Sequence, residues 1–188
     1  MKRLLLLIPG VLLFILAVAA GCRQAPAPAA SSSEKEFRPT ASVQDLMLSM
    51  VDPQADVLWN SVATVVSDKG IEERQPKTDE EWSAVRHAAI TLLEATNLLL
   101  IDRPVAKSGV KSEHPGIELG PEEIDAIRKK DPDAWVKYAH GLHDTVMPAL
   151  KAIDAKDPAA LTSAGAEIDM ACENCHMHYW YPNDKKPS

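Results

Sequence analysis

Trp82, Val85, Ala89, Leu92, Thr96 and Leu99 succeed one another at steps of three, four, three, four and three residues. That rhythm returns each side chain to one face of a 3.6-residue helix. A strand, whose side chains alternate faces at every step, would scatter them over both sides. The stripe predicts a helix over 79–102. Thr78 serves as its N-cap, Glu81 at N3 completes a capping box, and Arg103-Pro104 stops it. One apolar face on one helix is unstable in water, so this segment needs other helices to pack against.

Three further segments supply them. Over 41–67, Val43, Met47, Met50, Val57, Val62 and Val65 recur at helical spacing, with Asp52-Pro53 placed to kink or split the helix. Over 121–154, Trp135, Leu142, Val146, Leu150 and Ile153 face inward. Pro121 opens this segment, Asp131-Pro132 offers a break, and Pro148 bends it. Asp157-Pro158 restarts the chain as N-cap and N1 of a helix over 158–178, with Leu161, Ala164, Ile168, Cys172 and Cys175 on one face. Only two Phe and three Tyr occur, and strand signals are almost absent. Residues 104–120 hold Pro, Gly, Ser and Lys without period and form the longest loop. The expected fold is all-α, an antiparallel four-helix bundle over 41–182 with a polar tail at 183–188.

The N-terminal part does not belong to that bundle. Lys2 and Arg3 precede an apolar run from Leu4 to Ala20, and Ala19-Ala20-Gly21 leads directly to Cys22. Residues 1–21 read as a bacterial export signal; an uncleaved membrane anchor helix is the alternative. The small residues before Cys22 resemble a lipoprotein lipobox. The resemblance implies that Cys22 is diacylated and tethers the protein to a membrane; ordinary signal cleavage would leave it a free thiol. Arg23 rather than Asp follows, which by the same resemblance favours the outer membrane. The Ala, Pro and Ser of 22–40 cannot bury a core and read as a tether.

Of the three cysteines, Cys22 is thus assigned to lipid, and Cys172 and Cys175 share one motif, Cys172-Glu173-Asn174-Cys175-His176. No disulfide framework remains to be built. Covalent haem attachment asks for two thiols that add to the vinyl groups on one porphyrin edge. It also needs an imidazole, directly after the second thiol, that binds iron as proximal ligand. Zinc would need two more ligands, for which His178 and a distant His are available. A redox dithiol would sit at the start of a helix after a strand, whereas this motif lies at the end of a helix. Export also places the chain where haem c is attached.

Other residues carry weaker signals. Met47 and Met50, three apart on the inward stripe of the first helix, are candidates for a thioether iron ligand or for flexible core filler. His140 and His143 share a helical face and could share a metal, or be surface residues. His87 lies beside the second stripe, and His114 falls in the loop. Trp59, Trp82 and Trp135 read as core or haem-packing aromatics. The acidic runs at Asp79-Glu80-Glu81 and Glu122-Glu123 suit helix starts.

The four predicted helices, the motif on the last of them, Tyr179 three residues after His176, and the stretches Trp135, Met147-Pro148-Ala149-Leu150 and Asp157 to Leu161 together resemble the class II c-type cytochromes, the cytochrome c′ type. The likeness is good over about 131–180 and loose over 41–103. It implies one covalent haem c between helices at one end of the bundle, with His176 on one face of the iron and a first-helix residue approaching the other. Met47 matches that distal position better than Met50. The family often has a basic residue after the Tyr, where this chain has Trp180, and another near the start of the first helix, where Gln44 stands. It also often dimerises through its first helices, which leaves a homodimer open.

The expected function is electron transfer with redox protein partners in the periplasm, by a cytochrome held to the membrane through its N-terminal lipid. No general acid, base and nucleophile converge, so an enzyme is not expected. The net charge of −7 argues against nucleic acid. The alternative is NO or CO binding at an open distal face, for sensing or detoxification. A third reading is a haem-free structural or zinc lipoprotein.

Overall fold

Helix boundaries follow from short-range capping chemistry. The computed structural model describes residues 37–184. The export signal, Cys22 and nearly all of the tether lie outside them. Ser42 caps α1 (Val43–Leu46) with a full capping box to Asp45. Thr78 and Glu81 do the same for α3 (Asp79–Leu99), as their spacing predicts. Asp131 caps α5 (Pro132–Asp154) and Asp157 caps α6 (Pro158–Tyr179), each through its carboxylate and each followed by Pro at N1. Asp131 also ends the short α4 (Pro121–Lys130), so the break predicted at Asp131-Pro132 is present. The end of α5 is fixed by Lys156, whose φ of 53° lets Lys156 and Asp157 donate backwards to Ile153 and Ala152.

The first helix departs from expectation twice. Pro53 does not split it. Between α1 and α2 (Asp52–Ser61) runs one π-helical turn, Met47–Val51, in which the Asp52 N–H bonds the Met47 carbonyl five residues back. The cause is Pro53 itself. It has no N–H to offer the Ser49 carbonyl and its ring crowds that oxygen, so the helix widens locally.

The second departure is a correction. The helix predicted to reach residue 67 ends at Ser61, and a hairpin follows, β1 (Ala63–Ser67) paired antiparallel with β2 (Gly70–Arg74). Thr64, Val65 and Val66 are β-branched and lose rotamer freedom in a helix. Gly70, at φ 120°, takes a left-handed conformation that closes the turn after Ser67. Val62 is buried as expected, but in extended backbone at the helix end, and Val65 belongs to the strand.

Four rods form an up-down-up-down ring, the first helix beside α3, α3 beside α5, α5 beside α6 and α6 beside the first. Contacts at the two ends establish the directions. Arg86–Asp154 at 2.8 Å and Lys156–Asp79 join the end of α5 to the start of α3. At the other end the Trp135 indole donates to the Leu99 carbonyl at 2.8 Å. There too, Val43 and Gln44 donate to Pro104 and Val105. The antiparallel four-helix bundle is therefore the observed fold, with the hairpin and α4 as additions.

The core divides into two clusters. The larger centres on Leu58, Leu92, Val146, Leu161 and Ile168, all nearly inaccessible to water. Each such side chain contributes about 1.5–3 kcal/mol by burial. The smaller joins Val43, Leu46, Leu99, Trp135, Ala139 and Tyr179 at the end where α6 finishes. The long loop lies at that end too. Its Leu119 N–H donates to the Trp180 carbonyl at 2.7 Å, and its Lys107 pairs with Asp45.

Candidate functional site

Cys172, Cys175 and His176 occupy the last two turns of α6, all half-buried. Cys172 packs against the larger core cluster and Cys175 against the smaller. Met47 and Met50, also half-buried, pack against both clusters. The two thioethers therefore border both clusters, and each thiol borders one of them. The π-turn matters here, because Met47 and Met50 are inside it. The wider turn sets which way they face relative to the regular helix on either side.

The electrostatics keep every donor neutral. Burial pushes the Cys172 thiol up to about 11, helped by the carboxylates of Asp169 and Asp52. Burial pushes Cys175 up to about 12. These are the opposite of the lowered values a nucleophilic or dithiol-exchange cysteine needs. Burial lowers the His176 pKa below its ordinary 6.5, against the pull of Glu173 and Asp52, so the imidazole is uncharged at neutral pH and able to bind a metal.

A zinc site is poorly supported. Among the described residues no three of His, Cys, Asp and Glu converge on one point. His178 faces solvent and stacks against Tyr138 at 5.3 Å and Tyr179 at 4.6 Å. His87 and His140 are exposed, and His143 is half-buried with Asp144 at 3.6 Å. What remains is a donor set of two neutral thiols, one neutral imidazole and two thioethers against apolar walls. That chemistry suits a large apolar ring bound at two edge positions, with iron at its centre, better than a compact four-ligand ion.

Trp82 lies in the larger core cluster with the half-buried Trp59 packed against that cluster, and Trp135 lies in the smaller one. Trp135 stacks edge-on with Tyr179 at 5.0 Å, and Arg128 lies over its ring at 5.5 Å. A groove of about 330 Å³ opens between α2 and α6, lined by Leu58, Trp59, Leu161, Gly165 and Asp169 among others. It touches none of the motif residues, so it is separate from the Cys172–His176 motif.

Four side chains lie about His176, and of these the sequence pattern singles out only Trp180, the residue after Tyr179. Asp52, on the first helix, acts on His176 through its charge. Trp180 and Tyr181 set their rings edge-on to the imidazole, at 5.3 and 6.0 Å, and the Tyr181 hydroxyl donates to Glu173 at 2.6 Å. Glu173 was visible only as a spacer in the motif. Nothing in local spacing marks Asp52 or Tyr181.

No protein-family model matches the chain, and no curated protein matches it. Among solved structures it is similar to cytochrome c prime from Alcaligenes xylosoxidans, a ferrous variant with bound NO. The identity is 16% and the TM-score 0.47, over 76% of this chain and 98% of that one.

Proposed function

We propose that this chain is a c-type cytochrome with one haem held covalently by Cys172 and Cys175 and ligated by His176, and that it transfers electrons. The observation that carries the reading is a Cys-x-x-Cys-His motif at the end of α6, half-buried against the same two apolar clusters that Met47 and Met50 border. When bound, haem iron takes up and releases one electron. The rest falls to the protein. Cys172 and Cys175 would hold the ring covalently, and His176, as a neutral imidazole, and Met47, through its sulfur, would ligate the iron. The buried Leu46, Val51 and Leu142 belong to the clusters that Cys172, Cys175 and Met47 pack against, and a thioether ligand in apolar surroundings favours a high reduction potential.

The same reading places the protein on the periplasmic side of a bacterial membrane, the outer one being favoured, anchored through lipid on Cys22 and exchanging electrons with soluble redox proteins. An acidic body on an Ala/Pro/Ser tether suits that arrangement. NO or CO binding becomes the better reading if neither Met47 nor Met50 binds iron, since the distal position is then open.

The deciding experiment is expression with the haem-attachment machinery, followed by acid-acetone extraction. Wild type is expected to keep one haem per chain. Single Cys172→Ala and Cys175→Ala variants should lose most of it, and the double variant all of it. Normal haem in the double variant would refute the proposal.

A further inference from the structure

The chain does not leave the bundle when α6 ends. Trp180 and Tyr181 both donate their backbone N–H to the carbonyl of His176, at 2.7 and 3.0 Å, so the segment turns back on the residue it has just passed. Both rings then stand edge-on to the imidazole. The Tyr181 hydroxyl reaches Glu173, three residues before His176, at 2.6 Å. From outside, the long loop secures the turn through the Leu119 N–H on the Trp180 carbonyl.

An iron-binding imidazole is ordinarily held by a hydrogen bond from its second nitrogen to a carboxylate or carbonyl. Among the described residues neither nitrogen of His176 makes one. Rotation about the last bond of a histidine is broad unless something restrains it. Here the restraint available is the pair of aromatic edges, with one ring locked by its own hydroxyl. A Tyr–Glu pair at an exposed helix end could be incidental. This one brackets His176 on both sides in sequence and puts a ring on it, which an incidental pair need not do.

We infer that Glu173, Trp180 and Tyr181 form a clasp that orients the His176 imidazole; this rests on His176 being the iron ligand. Tyr181 and Glu173 are positioning residues, the hydroxyl–carboxylate bond being the latch and the Trp180 and Tyr181 rings the jaws. Tyr181→Phe removes only the latch donor, Glu173→Ala removes its acceptor, and Glu173→Gln keeps an acceptor.

Two signals read the clasp. In the haem-loaded, ferrous full chain, the iron–His176 stretching band in resonance Raman should shift and broaden in Tyr181→Phe and Glu173→Ala, and return close to wild type in Glu173→Gln. In the haem-free full chain, the His176 ring-proton NMR signal should be displaced by the two aromatic rings. It should move toward the position of an exposed histidine in the same two variants. If both variants leave both signals at wild type, the clasp is overturned. If the chain carries no haem, the attachment reading fails on its own, and the NMR signal still decides whether the clasp exists.

Discussion

The indole N–H of Trp59 donates to the Gly165 carbonyl at 3.0 Å, and a Cβ placed on Gly165 would stand 3.1 Å from Trp59 Cδ1. The first helix and α6 therefore approach closely because residue 165 has no side chain. That approach aligns the helix carrying Met47 with the helix carrying Cys172. Trp59→Phe should lose about 1 kcal/mol, the net value of one hydrogen bond. Gly165→Val should lose about 2 kcal/mol, because a branched side chain overpacks a contact already tight at Cβ. Urea denaturation midpoints at constant slope check both, and Gly165→Val leaving stability unchanged would mean the helices can move apart freely.

Stability of the haem-free chain should fall on both sides of neutrality. His176 has a lowered pKa when folded, so as pH drops below 6.5 the unfolded chain binds a proton that the folded chain refuses, and stability is lost. The thiols act in the opposite sense. Cys172 and Cys175 keep their protons when folded up to about 11 and about 12, whereas the unfolded chain releases them near 9, so stability falls as pH rises through that window. His176→Gln should flatten the acid limb and Cys172→Ala/Cys175→Ala the alkaline limb, measured by urea denaturation across pH under reducing conditions.

The sixth iron ligand separates electron transfer from gas binding. With Met47 bound, ferric protein should be low-spin with a weak near-infrared charge-transfer band. Met47→Ala should abolish that band and lower the reduction potential, since a thioether ligand raises it. Met50→Ala should do less. A wild-type ferrous protein that is already five-coordinate, with neither substitution altering its spectrum, would remove Met47 and Met50 as ligands and bring CO or NO binding forward.

Membrane attachment should depend on one atom, the Cys22 sulfur. Cys22→Ser should move the protein from the membrane fraction to the soluble periplasmic fraction, because acyl chains supply the anchoring. Retention of the variant on membranes after a salt wash would point instead to an uncleaved N-terminal helix.

Capping residues and apolar stripes act within one or two turns. The starts of α3, α5 and α6, the break at Asp131 and the position of the Cys172-Cys175-His176 motif were therefore determined by the sequence alone. So was the bundle, since four amphipathic helices with one apolar face each have few other ways to exclude water. The tertiary structure decided what depends on competition or on distance. At 62–67, β-branched residues fit the helical stripe as well as a strand. Pairing with Gly70–Arg74 resolved that choice, as Ser67↔Gly70 closed the turn. At Pro53 the helix had to respond to a missing donor, and it did so with a π-turn rather than a break. The surroundings of His176 were hidden for a third reason. Asp52 lies more than a hundred residues away along the chain. Trp180 and Tyr181 reach the imidazole only because the backbone reverses after α6, and neither relationship leaves a periodic trace that spacing could reveal.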